Sequence, residues 1–126
     1  MANIEHFAIY AEDSVALKNF YVQTFGMKVA SESKGSPPSY FLIDGQGMAM
    51  ELIHRPPGME GANQRWVCHF AFWTGDYPKT HAELEALGIV FEIETAVDND
   101  SLKTAFFNDP AGNRCQIVWR ADRIGG

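Results

Sequence analysis

Disulfide chemistry has little to work with in this chain: its 126 residues include two cysteines, Cys68 and Cys115, too few for a covalent framework. Long apolar runs are lacking as well, so no segment is expected to cross a bilayer and no membrane partner is expected. The opening MANIEHF has neither a basic start nor an apolar stretch behind it. That removes the signature of a signal peptide and makes a cytoplasmic protein the expectation. Positive charge is scarce: ten Lys and Arg face sixteen Asp and Glu, a net charge of −6 with no basic cluster. The phosphate backbone of a nucleic acid is therefore not an expected partner. What remains is a 46% apolar, 21% charged chain of single-domain length, long enough to bury a core.

What is present is said twice. Residues 44–53 read DGQGMAMELI and residues 109–118 read DPAGNRCQIV, so that Asp44 and Asp109, Gly47 and Gly112, and Glu51 and Gln116 are each 65 apart. Two further matches fall in the same order: HFA at 6–8 and 69–71, an offset of 63, and Gly26 and Gly88, an offset of 62. Strand patterns are expected at IEHFAIY, MKVASES, SYFLID and MAMELIH, with a helix after AEDS capped by Asp13 or Ser14 and closed by Gly26. RPPGMEGANQ, residues 55–64, reads as a linker. The order then restarts with WVCHFAFW, a helix in TGDYPKTHAELEALG with Pro78 in its first turn, and strands at IVFEIETAV, KTAFFND and RCQIVWR. The tail ADRIGG carries no strong signal. This is an internal duplication of a βαβββ unit within one domain: module 1 at 1–54, linker at 55–64, module 2 at 65–120 and tail at 121–126.

Strand side chains alternate between faces, so His6 shares a face with Tyr10, and His69 with Trp73; Gln116 likewise shares one with Val118 and Arg120. A duplication relates equivalent residues by a pseudo-twofold axis, pairing His6 with His69 and Glu51 with Gln116. A single strand histidine is ordinarily structural; the matched pair is what points to a metal. Turned toward the inside of a curved sheet, these four residues supply two imidazoles and two oxygen donors, an N₂O₂ set suited to Zn, Ni, Mn, Co or Fe(II). Glu51 lies in an apolar strand between Met50 and Leu52, where a carboxylate needs a partner, a metal or an arginine such as Arg120. Tyr10, Trp73, Val118 and Arg120 share the parity of these donors and are the expected substrate-pocket wall. Cys68 and Cys115 each neighbour a proposed donor and so face away, as small buried hydrophobes. His54 is expected at the surface, His81 solvated or packed, and Phe20, Tyr21, Phe25, Leu84 and Leu87 between helix and sheet.

The βαβββ duplication, the histidine in the first strand of each copy and the DPAGN turn before the last strand resemble the vicinal oxygen chelate superfamily. That group includes glyoxalase I, extradiol dioxygenases, methylmalonyl-CoA epimerase, and the fosfomycin and bleomycin resistance proteins. The resemblance spans residues 4 to about 120. It implies an α+β fold of two βαβββ modules forming an eight-stranded, open barrel-like sheet, with the metal positions at His6, Glu51, His69 and Gln116. It also implies a homodimer, often with each site built from modules of two chains.

The resemblance to glyoxalase I implies a divalent-metal-dependent lyase or isomerase that chelates neighbouring oxygens of a small substrate and stabilises an enediolate. Gln116 departs from that pattern, because glyoxalase I and the fosfomycin enzyme resemble each other in a glutamate there. An amide can coordinate through its oxygen but cannot take a proton, which leaves Glu51 as the catalytic base. Extradiol dioxygenase chemistry is less favoured, since its carboxylate belongs at the position of Gln116. The alternative is a metal-free small-molecule binding protein of the bleomycin-resistance type, with a planar ligand held between Tyr10 and Trp73.

Overall fold

The computed structural model describes residues 4–58 and 69–124. The chain divides into two compact units, Met1–Asn63 and Gln64–Gly126, referred to below as the first and second modules. In the first, β1 (His6–Ala11) leads into α1 (Ser14–Phe25), then β2 (Lys28–Glu32), β3 (Tyr40–Ile43) and β4 (Ala49–His54). The second repeats this with β5 (Phe70–Trp73), α2 (Tyr77–Ala86), β6 (Val97–Asp98), β7 (Leu102–Asn108) and β8 (Arg114–Arg120). Each module is a four-stranded mixed sheet with one helix, ordered β1-β4-β3-β2 and β5-β8-β7-β6. This is the α+β arrangement of a duplicated βαβββ unit. The outer pairs β1/β4 and β5/β8 run parallel, and the remaining pairs are antiparallel. No helix among the described residues is long and apolar enough to cross a membrane.

Local chemistry sets the helix ends. Asp13 caps α1 by accepting from the Ala16 amide at 2.9 Å, and Asp76 caps α2 by accepting from Lys79. Gly26 closes α1 in the left-handed region at φ 65°, its amide bonding Tyr21 and Val22 carbonyls. The two DxxG turns are built alike. Asp44 Oδ1 accepts from the Gln46 and Met48 amides, and Asp109 Oδ1 from those of Ala111 and Asn113. Asp109 also accepts from the Asn113 side chain at 2.9 Å and is 4% exposed, so the second turn is the more tightly held.

One face of each sheet is buried. Leu42, Met50 and Leu52 form it with Leu17 and Tyr21 of α1; Ala105, Phe107, Cys115 and Ile117 form it in the second module, where Leu84 of α2 is also buried. The opposite parity, Phe41 with Glu51 and Phe106 with Gln116, is only half-buried.

Three expectations need correcting. IVFEIETAV is not a strand across its length; only Val97 and Asp98 pair with β7. The Glu92 amide makes one ladder bond to the Phe106 carbonyl, but its carboxylate is drawn into an ion pair with Arg114, and the chain then turns, with the Ala96 amide bonding the Ile93 carbonyl. Val90 and Ile93 are left exposed in consequence. Leu87 caps α2 and is 59% exposed, not packed beneath it. His54 is half-buried rather than at the surface, and its Nδ1 is buried with no hydrogen-bond partner among the described residues. His81 is packed, stacking on Phe91 at 4.2 Å and meeting Glu85 at 2.7 Å. Cys68 and most of the expected linker lie outside the described residues.

Candidate functional site

The parallel pairing of β1 with β4 places Ala8 opposite Glu51 and His6 opposite Ala49, so His6 and Glu51 are diagonal neighbours on the open face. His6 Nε2 stands 3.6 Å from Glu51 Oε1, and His6 Nδ1 stands 2.9 Å from Glu5 Oε1. An ionised carboxylate only accepts, so Nδ1 carries the proton toward Glu5. In the neutral ring the Nε2 lone pair is then directed to the side where Glu51 sits. At 3.6 Å the Nε2–Oε1 contact exceeds a hydrogen bond. Two donors bound tetrahedrally to one ion at metal–ligand distances of about 2.1 Å would lie about 3.4 Å apart. The observed separation fits a pair of adjacent metal donors. Phe41, opposite Glu51 in β3, meets the His6 ring edge-on at 5.2 Å.

The second module repeats the arrangement. Ala71 lies opposite Gln116, so His69, two residues earlier, holds the place His6 has two residues before Ala8. Phe106 is opposite Gln116 and meets the His69 ring edge-on at 4.9 Å. A histidine, an oxygen donor and a phenylalanine thus recur at matching register positions. Among the described residues no three His, Cys, Asp or Glu side chains form a cluster able to hold a metal ion; Gln116 falls outside that set of residue types.

The copies differ in what lies beside the donors. Arg114 of β8 sets its guanidinium 3.9 Å over the Phe106 ring and binds Glu92 through two hydrogen bonds of 3.0 and 2.9 Å. Arg114's hydrogen bonds hold the Glu92 carboxyl below its ordinary value, and Glu92 in turn raises Arg114. By the 65-residue offset, the corresponding position in the first module is Ala49, which has no guanidinium to set over its phenylalanine.

The expected pocket wall is only partly open. Tyr10 is 48% and Trp73 44% exposed, Val118 is buried opposite Trp73, and Arg120 is half-buried opposite Leu102. One feature was not foreseen from sequence: Arg123, in the tail expected to carry no signal, lies 4.1 Å over the Trp73 ring. Nothing in ADRIGG marks it, because a cation–π contact depends on where the tail runs and not on spacing. Gly75 completes this surface, since a Cβ there would come within 3.3 Å of the Trp73 ring.

Comparison with known proteins agrees with the duplicated fold. Residues 3–117 match the model of the Glyoxalase/Bleomycin resistance protein/Dioxygenase superfamily. No curated protein matches the sequence. Among solved structures, a glyoxalase family protein from Enterococcus faecalis is 28% identical, with a TM-score of 0.71 over 93% of this chain and 97% of that one. An antibiotic binding protein from a Streptomyces species is 20% identical, with a TM-score of 0.75 over 96% and 98%. A fosfomycin resistance protein from Listeria monocytogenes, complexed with Mn(II) and 1S,2S-dihydroxypropylphosphonic acid, is 13% identical, with a TM-score of 0.74 over 98% and 93%. With the family model spanning most of its length, this chain belongs to the glyoxalase/bleomycin resistance protein/dioxygenase superfamily.

Proposed function

We propose that this protein is a divalent-metal-dependent lyase or isomerase of the glyoxalase I type acting on a small oxygenated molecule. The metal donors in this reading are His6, Glu51, His69 and Gln116. The observation that carries the reading is the His6–Glu51 pair: an imidazole with Nδ1 engaged by Glu5 and a carboxylate oxygen 3.6 Å from Nε2. A bound divalent ion would supply Lewis-acid stabilisation of negative charge on two neighbouring substrate oxygens. The protein's own part is to orient the substrate and to move a proton. Glu51 is the one carboxylate among the four donors and, with the imidazole lone pairs given to the ion, the one group among them able to take a proton from carbon. Gln116 has no basic atom and can serve only through its carbonyl oxygen.

Elemental analysis tests this directly. After dialysis against a weak chelator and exposure to Zn, Ni, Mn, Co or Fe(II), the protein should retain close to one ion per chain, and His6→Ala should lose it. A wild-type chain that takes up none of these ions would overturn the reading.

A second reading, a metal-free small-molecule binding protein, is favoured by the exposed rings of Tyr10 and Trp73 together with the neutral Gln116. The fold similarity to a structure described as an antibiotic binding protein is in keeping with it. Its mark would be tryptophan quenching by a planar ligand with a chelator present.

A further inference from the structure

The row of residues running across the first sheet is Ala8, Glu51, Phe41 and Ser31, each opposite the next through β1, β4, β3 and β2. Beyond Glu51 this row opens into a cavity of about 170 Å³ lined by Ser31, Ser33, Ser39, Phe41, Glu32, Tyr40 and Glu51. Glu51 therefore belongs to both the donor pair and the cavity wall.

The cavity's chemistry is distinct. Ser33 Oγ accepts from the Ser39 amide at 2.8 Å and Ser39 Oγ from the His54 amide at 3.1 Å, so each has its hydroxyl proton left to donate. Ser31, on the exposed edge strand β2, brings a third hydroxyl to the space. Glu32 takes up the hydroxyl of Tyr40, whose proton is retained because burial, and then the charge of Glu32, push its pKa up. No lysine or arginine lines the space, and the Glu51 side chain shares its face with Phe41 and Ser31. Three hydroxyl donors, one aromatic wall and a negative border suit a neutral hydroxyl-bearing group and repel an anion.

The second module carries different side chains along the corresponding row. There the equivalent phenylalanine, Phe106, is covered by Arg114, and the neighbouring edge is occupied by Glu92.

We propose that this serine-lined cavity is the subsite for the non-reacting end of the substrate, and that this end is a neutral, hydroxylated group and not a phosphate, phosphonate or carboxylate. The assignment rests on Glu51 being a residue of the functional site, as proposed above.

The test is chemical-shift mapping on the ¹⁵N-labelled full chain with glycerol and with glycerol 3-phosphate, which differ by the phosphate alone. Glycerol should shift the amides of Ser31, Ser33, Ser39 and Phe41, with glycerol 3-phosphate at least tenfold weaker. Ser31→Phe, on an exposed edge strand, should abolish the response, and Ser31→Val should weaken it several-fold in case the larger side chain disturbs the strand. Equal or tighter binding of glycerol 3-phosphate would overturn the assignment. So would a glycerol response that both variants leave intact, or the lack of any response at these amides. Metal uptake, measured on the same samples, separates the two proposals. Glycerol binding without metal uptake sinks the metal-dependent function and keeps the subsite; metal uptake without glycerol binding does the reverse.

Discussion

The Glu92–Arg114 pair, whose guanidinium lies over the Phe106 ring, has a predictable energy. The pair is bidentate, with bonds of 3.0 and 2.9 Å, and its side chains are 31% and 32% exposed. An exposed ion pair contributes about 0.2–1 kcal/mol, because water screens it and two long side chains must be ordered. Charge-assisted, two-pronged geometry roughly doubles a hydrogen bond's strength, which places this pair at about 1 kcal/mol of coupling. The relevant measurement is a double-mutant cycle of Glu92→Gln and Arg114→Met, with stability read from urea unfolding by far-ultraviolet circular dichroism. Arg114→Met also loses the contact with Phe106, about 0.5–1 kcal/mol, but that loss cancels in the cycle.

The pH dependence has a definite sign. Glu92 is held below its ordinary value of 4.5 in the folded state, chiefly by Arg114's hydrogen bonds. A carboxyl with a depressed folded pKa binds more protons when unfolded. Its stabilisation is therefore complete above the unfolded value and is lost as pH falls from there through the folded value. The coupling should hold at pH 7 and shrink by pH 3, and 1 M salt should reduce it at pH 7. A coupling indistinguishable from zero at pH 7, or one that grows on acidification, would refute this account.

Two further expectations concern the repeat and the tail. Asp109→Ala should cost about 2–3 kcal/mol, because two backbone amides lose a partner at a site only 4% exposed; Asp44→Ala, at an exposed turn where water can replace the carboxylate, should cost about 1 kcal/mol. Equal losses in urea unfolding would mean that burial does not set the difference. Arg123→Ala should uncover the Trp73 ring, giving a red-shifted emission and easier acrylamide quenching, with a stability change within about 1 kcal/mol. An unchanged quenching constant would show that the contact does not persist in solution.

Much of the architecture is legible in the chain because it is carried by local rules. Asp13, Gly26 and Pro78 mark helix ends through caps that involve only nearby amides. The alternation in AMELIH and RCQIVWR separates a buried face bearing Met50, Leu52, Cys115 and Ile117 from one bearing Glu51 and Gln116, and the burial follows that parity. IVFEIETAV misled because alternation counts apolar residues and is blind to a partner from a distant strand: Arg114 lies 22 residues beyond Glu92. Leu87 misled in the same way, since helical spacing placed it under the sheet, whereas the cap turns it outward.

The sequence by itself determined the duplication, the strand parity of Glu51 and Gln116, and the equivalence of His6 with His69 and of Glu51 with Gln116, since each depends on spacing and strand period alone. Only the tertiary structure decided what surrounds those donors. Glu5 behind His6, Arg114 over Phe106, Arg123 over Trp73 and the cavity lined by Ser31, Ser33 and Ser39 all depend on where side chains end in space. The physical reason is range. A strand's alternation and a helix cap are settled within a few residues, whereas an ion pair, a ring contact or an opening requires strands remote in sequence to be brought into register first.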